Sequence, residues 1–189
     1  MVTNVLILDQ HSAVADLVAQ KLKKIPNIKV TRLTGIDFKR AKSYVPVLRH
    51  QNIIASFLGP MDVDLDFEAL FDAVSLVVPP IHQFLMMSHA GIDDEVTGPA
   101  IFPDVKNVPE YLNEQRYAVK VVDESEIPYT ILRPVTITKQ PAITEPRIIE
   151  EGQSVNNGTV SYQNVAQIAV DVIVGRRYLN QSVAIIDQK

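Results

Sequence analysis

Four consecutive apolar residues, Val5-Leu6-Ile7-Leu8, are followed at once by a helical pattern in which Val14, Leu17, Val18 and Leu22 recur at i, i+3, i+4 and i+8. An uninterrupted apolar run of this length predicts a strand buried on both faces, as in a parallel sheet. The spacing behind it predicts a helix with one apolar face. Strand-like and helix-like segments then alternate along the chain, which predicts an α/β fold with a parallel sheet between layers of helices. Strands are expected over 2–8, 28–33, 53–58, 84–88, 129–132 and 183–186, and helices over 13–24, 38–49, 66–78, 107–125 and 163–174. Pro46 weakens the second helix, Pro109 suits the first turn of the fourth, and Ser161 and Gly175 suit the two ends of the fifth.

The segment around Val74–Val78 reads as strand or as helix. Phe67, Leu70, Phe71, Val74, Val77 and Val78 keep a helical spacing, and only five residues separate Val78 from Phe84. A parallel crossover needs roughly a dozen residues. Residues 66–78 are therefore expected to form one helix, with Asp64 or Asp66 near its N-cap, closed by Pro79-Pro80. The stretches 89–106 and 135–157 are expected to be irregular, with a strand near Arg147–Glu150.

At 189 residues the chain fits one domain spanning 1–189. Its net charge of −4 offers no basic field for nucleic acid or an anionic membrane. The absence of cysteine excludes disulfides, thiolate metal sites and a Cys nucleophile, and suits a reducing cytoplasm. The first residues lack the basic stretch of a signal peptide, and the longest apolar stretch, around Val74–Pro80, is too short to span a bilayer.

The turn joining the first strand to the first helix reads Asp9-Gln10-His11-Ser12-Ala13-Val14-Ala15. In doubly wound sheets that turn is rich in glycine, so that backbone approaches a dinucleotide pyrophosphate at the helix N-terminus. Here it holds no glycine.

Three further segments carry a resemblance. Tyr129-Thr130-Ile131-Leu132-Arg133-Pro134 resembles the Y-T-I-L-R-P segment of atypical short-chain dehydrogenase/reductase proteins, the NmrA-like NAD(P)-binding group. Phe84 to Ile92 resembles that group's strand ending in Ser-Ser or Ser-Ser-x-Gly, and Val160-Ser161-Tyr162-Gln163-Asn164-Val165-Ala166 resembles its I-S-R-x-D-V-A helix start. The resemblance implies a doubly wound, mostly parallel Rossmann-like sheet with helices on both faces, and NADP or NAD as cofactor. It implies an activity only loosely, because some members bind dinucleotide without an evident reaction.

The departures are specific. Asp9, Ser12 and Ala15 stand where the family turn resembles G-x-x-G-x-x-G/A. A carboxylate at Asp9 adds repulsion on the order of 1 kcal/mol toward a pyrophosphate, and its Cβ restricts φ where glycine would be free. Gly35 stands where NADP-preferring relatives carry an arginine, leaving Arg32, Lys39 and Arg40 as surrogates. The Tyr-x-x-x-Lys pair is not intact. Counting back from Tyr129-Thr130 puts the lysine position near Arg116, with Leu112 four residues earlier and Tyr111 one off, while Tyr117 and Lys120 sit one turn late. The family also has a strand and a crossover helix before the equivalent of Phe84–Ser88, so about twenty-five residues are missing. The 84–88 strand is then expected beside strand one.

The resemblance implies Asp9, Gln10, His11, Ser12, Ala13 and Val14 at the pyrophosphate, Gly35 at the adenosine ribose and Arg133, also counted as cofactor-binding, at a strand end pointing into the substrate side of the cleft. Ser88 and His89 are the catalytic candidates, Ser88 on the nicotinamide side as a polar group at a strand's C-terminal end and His89 as an acid or base. Each has a plainer alternative. Ser88 could bond a nearby backbone group, His89 could be a solvated loop residue, and Arg133 could grip a phosphate or carboxylate or pair with an internal acid. Asp9 could polarise water with His11 or serve the first helix as its cap. His82, His89, Asp93, Asp94 and Glu95 lack the regular spacing of a metal site and read as a solvated acidic loop. Two functions follow: an oxidoreductase using NADP or NAD through a degraded turn, or a regulatory or protein-interaction module that has lost dinucleotide binding. A homo-oligomer is compatible with both.

Overall fold

Seven strands form one sheet with helices on both faces. The computed structural model describes residues 2–188. Strand β1 (Thr3–Asp9) leads to α1 (Ala13–Leu22), then β2 (Ile28–Leu33), α2 (Ala41–Leu48), β3 (Ile53–Phe57), α3 (Val63–Val77) and β4 (Gln83–Met87). A long connection carrying β5 (Val96–Thr97) precedes α4 (Val108–Glu124) and β6 (Tyr129–Pro134). The chain ends through β7 (Thr136–Thr138), β8 (Pro146–Ile149), β9 (Val155–Asn156), β10 (Thr159–Ser161), α5 (Tyr162–Gly175) and β11 (Gln181–Asp187).

The sheet order is β2-β1-β3-β4-β6-β11-β8, parallel except for β8, which pairs antiparallel with β11. The central run of β1 is buried on both faces, as its lack of alternation predicts. Val5 and Ile7 pack with α1 and α5, and Leu6 and Leu8 pack under α2, α3 and α4. Each of these side chains, removed from water completely, contributes about 1.5–3 kcal/mol. Along α1, Val14, Ala15, Val18, Ala19 and Leu22 form the buried stripe.

Residues 63–77 are a helix, as the crossover argument requires. It starts earlier than expected, after Asp62, which adopts a left-handed conformation (φ 63°) and makes no side-chain cap. Asp66 is not a cap but a buried residue on the inner face of α3.

The 84–88 strand lies beside β3, not beside β1. The reason is visible in the strand order. A sheet of order 3-2-1-4-5-6 carries a strand outside its second one, whereas here β2 is the edge. β1 is flanked by β2 on one side and β3 on the other, so β4 takes the next place outward.

The stretches expected to be irregular hold short, non-local pairs. β7 pairs with β10, and β5 with β9 through Val96↔Val155 and Thr97↔Asn156. Among the described residues no helix is long and apolar enough to cross a membrane.

Candidate functional site

The chain leaves β1 for β2 on one side and returns as β3 on the other. At such a switch point the connections diverge and open a crevice at the C-terminal strand ends, between the start of α1 and the loop after β3.

Asp9 ends β1 and is fully buried. One carboxylate oxygen accepts the Ser12 N–H at 2.7 Å, and the other accepts from the Arg32 guanidinium. Arg32 also reaches Asp16 on α1, and the Asp9 bond chiefly raises the affinity of Arg32 for its proton. The register explains the pairing, since Arg32 lies opposite Ile7 and shares with Asp9 the sheet face under α1. The bare negative charge expected at Asp9 is thus balanced from within the chain, and Arg32 is engaged rather than free for a 2′-phosphate. Lys39 and Arg40 are exposed and paired with Asp62 and Asp37.

Asp9 is not the helix cap. Ser12 caps α1, its hydroxyl accepting the Ala15 N–H at 3.3 Å. The backbone strain expected at Asp9 falls on His11 (φ 68°), at a cost of about 1 kcal/mol for a side chain in that region. Gln10, His11 and Ala13 are exposed at the mouth of the crevice. With Ala15 satisfied, the N–H groups of Ala13 and Val14 have no partner among the described residues. Two free donors at the positive end of a helix suit an anion. Across the mouth, Gly35 has φ +68° and open space where a side chain would stand.

Ser88 follows β4 and is half-buried. Its hydroxyl donates to Gln115 Oε1 at 2.7 Å, and Gln115 Nε2 donates to the Pro60 carbonyl at 3.2 Å. Gln115 and Tyr111 are four residues apart on the buried face of α4. They hold the spacing of the Tyr-x-x-x-Lys pair, one residue from the position counted in the sequence and with an amide in place of the ammonium. Burial pushes the Tyr111 hydroxyl above the usual tyrosine range, with no charged group among the described residues contributing. Gln115 was not among the sequence candidates, although the Tyr111-x-x-x-Gln115 spacing was there to find it.

His89 is not a solvated loop residue. Its ring packs on Phe102, with centroids 5.1 Å apart, and Phe102 packs in turn on Tyr111 at the same distance. Nδ1 lies 2.6 Å from the Ala90 carbonyl. A carbonyl only accepts, so Nδ1 carries the proton and Nε2 presents a lone pair, buried and without a partner among the described residues. Burial lowers the pKa of the imidazole, with the Ala90 bond opposing. His89 is held neutral and offers Nε2 as a hydrogen-bond acceptor.

Arg133 does not reach for a cofactor phosphate. It is 1% exposed, and its guanidinium is held by Glu95 and by Asp93 at 3.3 Å, with a weaker bond to the Ser182 carbonyl. Arg116 holds the same connection through the Ile92 carbonyl and Asp94. These contacts, the β5–β9 pair and Phe102 fasten residues 91–106 as a strap beside His89 and Tyr111. Of the acids in this loop, Asp93 and Asp94 stay solvent-exposed while pairing with Arg133 and Arg116, and the Glu95 side chain is buried against Arg133. Among the described residues no group of three or more His, Asp or Glu is placed to hold a metal ion.

Solved structures share this architecture. A Rossmann-fold NAD(P)-binding family protein from Shigella flexneri matches with TM-score 0.77 at 20% identity, over 100% of this chain and 98% of its own. A short-chain dehydrogenase/reductase from Veillonella parvula DSM 2008, in complex with NADP, matches with TM-score 0.76 at 19% identity, over 99% and 95%. ChuY, an anaerobilin reductase from Escherichia coli O157:H7, matches with TM-score 0.75 at 18% identity, over 99% and 98%. Among curated proteins the sequence finds no match. A family model described as NAD(P)H-binding matches residues 4–175, and with the strand order of a switch point in place the chain belongs to that NAD(P)H-binding family.

Proposed function

We propose that the crevice between α1 and the loop after β3 binds NADP or NAD and that the protein is a dinucleotide-dependent reductase. The observation that carries this reading is the start of α1, where Ala13 and Val14 offer free N–H groups beside an Asp9 whose charge Arg32 already balances. The pyrophosphate would rest on those donors and on the positive end of the helix, with Gln10, His11 and Ser12 around it. Gly35 leaves room for the adenosine ribose on the β2 side. Ser88 lies two strands from β1, about 10 Å across the sheet, where the nicotinamide half would extend.

When bound, the dinucleotide supplies a hydride. The protein brings no strong acid to that step. The Ser88 proton is committed to Gln115, His89 is neutral and accepts at Nε2, and burial makes the Tyr111 hydroxyl a weaker acid. An isolated ketone needs a proton donor at its oxygen as charge develops. A conjugated acceptor spreads the added charge and takes its proton from water. The substrate class proposed is therefore a conjugated, electron-poor acceptor.

Calorimetric titration with NADPH, NADH, NADP and NAD tests the binding. Micromolar affinity for one of them is expected and would choose between the two dinucleotides; no binding at millimolar nucleotide would sink the reading. The second reading, a regulatory or protein-interaction module without dinucleotide, draws on the amide at Gln115 and on the engagement of both Arg32 and Arg133 by internal acids. It would then take precedence.

A further inference from the structure

Gln115 ties α4 to two other parts of the crevice. One end of its side-chain amide lies 3.2 Å from the Pro60 carbonyl oxygen and the other 2.7 Å from Ser88 Oγ. Oxygen and nitrogen of an amide look alike in shape, but their partners distinguish them. The Pro60 carbonyl can only accept, so the NH2 group faces it and Oε1 faces Ser88. An amide oxygen also only accepts, so Ser88 must donate. Gln115 is 2% exposed, which keeps water from replacing either bond. A serine hydroxyl has one hydrogen and two lone pairs. With that hydrogen committed to Gln115, Ser88 meets the crevice as an acceptor.

We propose that Gln115 is a positioning residue that makes Ser88 an acceptor for the carboxamide NH2 group of the nicotinamide ring, in place of a proton donor to substrate. This rests on the reading above that the nicotinamide half lies over β4. A ligand oxygen set against Ser88 would meet lone pairs and be disfavoured, whereas an N–H completes the hydroxyl's bonding. A lysine at position 115 would reverse the assignment, because an ammonium only donates and would turn the Ser88 proton outward.

The test compares NAD and NADP with their 3-acetylpyridine analogues, in which a methyl group replaces the NH2, and with ADP-ribose, which lacks the ring. Affinities are measured by calorimetry for the wild type, Ser88→Ala, Gln115→Glu and Gln115→Lys. The wild type should favour the carboxamide over the acetyl form by roughly fivefold, the effect of one neutral hydrogen bond. Ser88→Ala should bring that ratio toward one and leave ADP-ribose binding unchanged. Gln115→Glu, with its buried carboxyl protonated so that the hydroxyl donates to the Pro60 carbonyl, keeps an acceptor against Ser88 and should keep the ratio, while Gln115→Lys should lower it. A merely structural role for Gln115 would weaken all ligands together and leave the ratio alone. If Ser88→Ala binds both dinucleotide forms with the wild-type ratio, the proposal is overturned while the dinucleotide reading stands. If neither ADP-ribose nor any dinucleotide binds the wild type, both fall. Should a Gln115 variant fail to fold, Ser88→Ala decides alone, since it only removes an oxygen from a half-buried position.

Discussion

Asp9 and Arg32 form an asymmetric pair, because the acid is fully buried while the arginine side chain keeps 31% of its exposure. Removing the arginine strands a charge away from water, and removing the acid's charge does not. Arg32→Ala should therefore lower stability by about 3 kcal/mol and Asp9→Asn by about 1 kcal/mol, with the double variant below the sum. Urea unfolding of the three variants checks this. Asp66 behaves differently. Burial first of all, against an opposing pull from Lys39 and with Asp62, Asp64 and Asp37 adding to it, pushes its carboxyl up to about 7. A carboxyl whose folded pKa is raised favours the folded state fully below its unfolded value, and that contribution is lost as pH rises through about 7. Wild-type stability should fall by about 4 kcal/mol from this group between pH 4 and pH 8. Asp66→Asn, neutral throughout, should flatten the profile and be the more stable protein at pH 8; denaturation midpoints at the two pH values read the sign. The Asp9–Arg32 pairing was not legible in the sequence. Arg32 stands 23 positions from Asp9, and nothing in either residue's neighbours announces the other until the strand register is known.

At the scale of elements, the helices and long strands were legible because each declares itself within a window of its own residues. The 63–77 helix could even be separated from a strand by counting the linker that follows it. The strap was not legible. Its β5 is two residues long and pairs with β9, 59 positions away, so no local period marks it, and its acids have meaning only once Arg116 and Arg133 are beside them. Gly91 measures how closely it is laid down. Its φ is +102°, and a Cβ there would stand 3.0 Å from the Ala100 Cβ and 3.2 Å from the Phe102 ring. Gly91→Ala should cost about 1–3 kcal/mol and unseat Phe102 from His89 and Tyr111. Faster proteolytic cleavage within residues 91–106, with cleavage elsewhere unchanged, would report that release.

At the scale of the whole molecule, the resemblance located the fold but misplaced the 84–88 strand, which lies beside β3 and not beside β1. The strand count was readable, whereas the order in which strands stand side by side is set by which connection crosses which helix. That order leaves β2 as an open edge, with Lys29 and Arg32 on it, charges that discourage pairing with another chain. Ligand binding acts on the molecule as a unit. A dinucleotide present at a hundredfold over its dissociation constant should stabilise the fold by about 2.7 kcal/mol. A thermal shift that grows with the logarithm of nucleotide concentration is the expected signature, and a flat response would contradict it.

The amide of Gln115 also sets a sequence in time. It joins a loop 55 positions upstream to a strand end 27 positions upstream. During synthesis the turn at Asp9 and the loop at Pro60 leave the ribosome well before residue 115 exists. Until α4 docks, the Ser88 hydroxyl has no fixed partner and rotates freely. The turn at Asp9 and the loop at Pro60 are therefore made long before α4 gives the Ser88 hydroxyl a fixed direction, and a chain in which α4 is undocked leaves that hydroxyl free to donate or to accept.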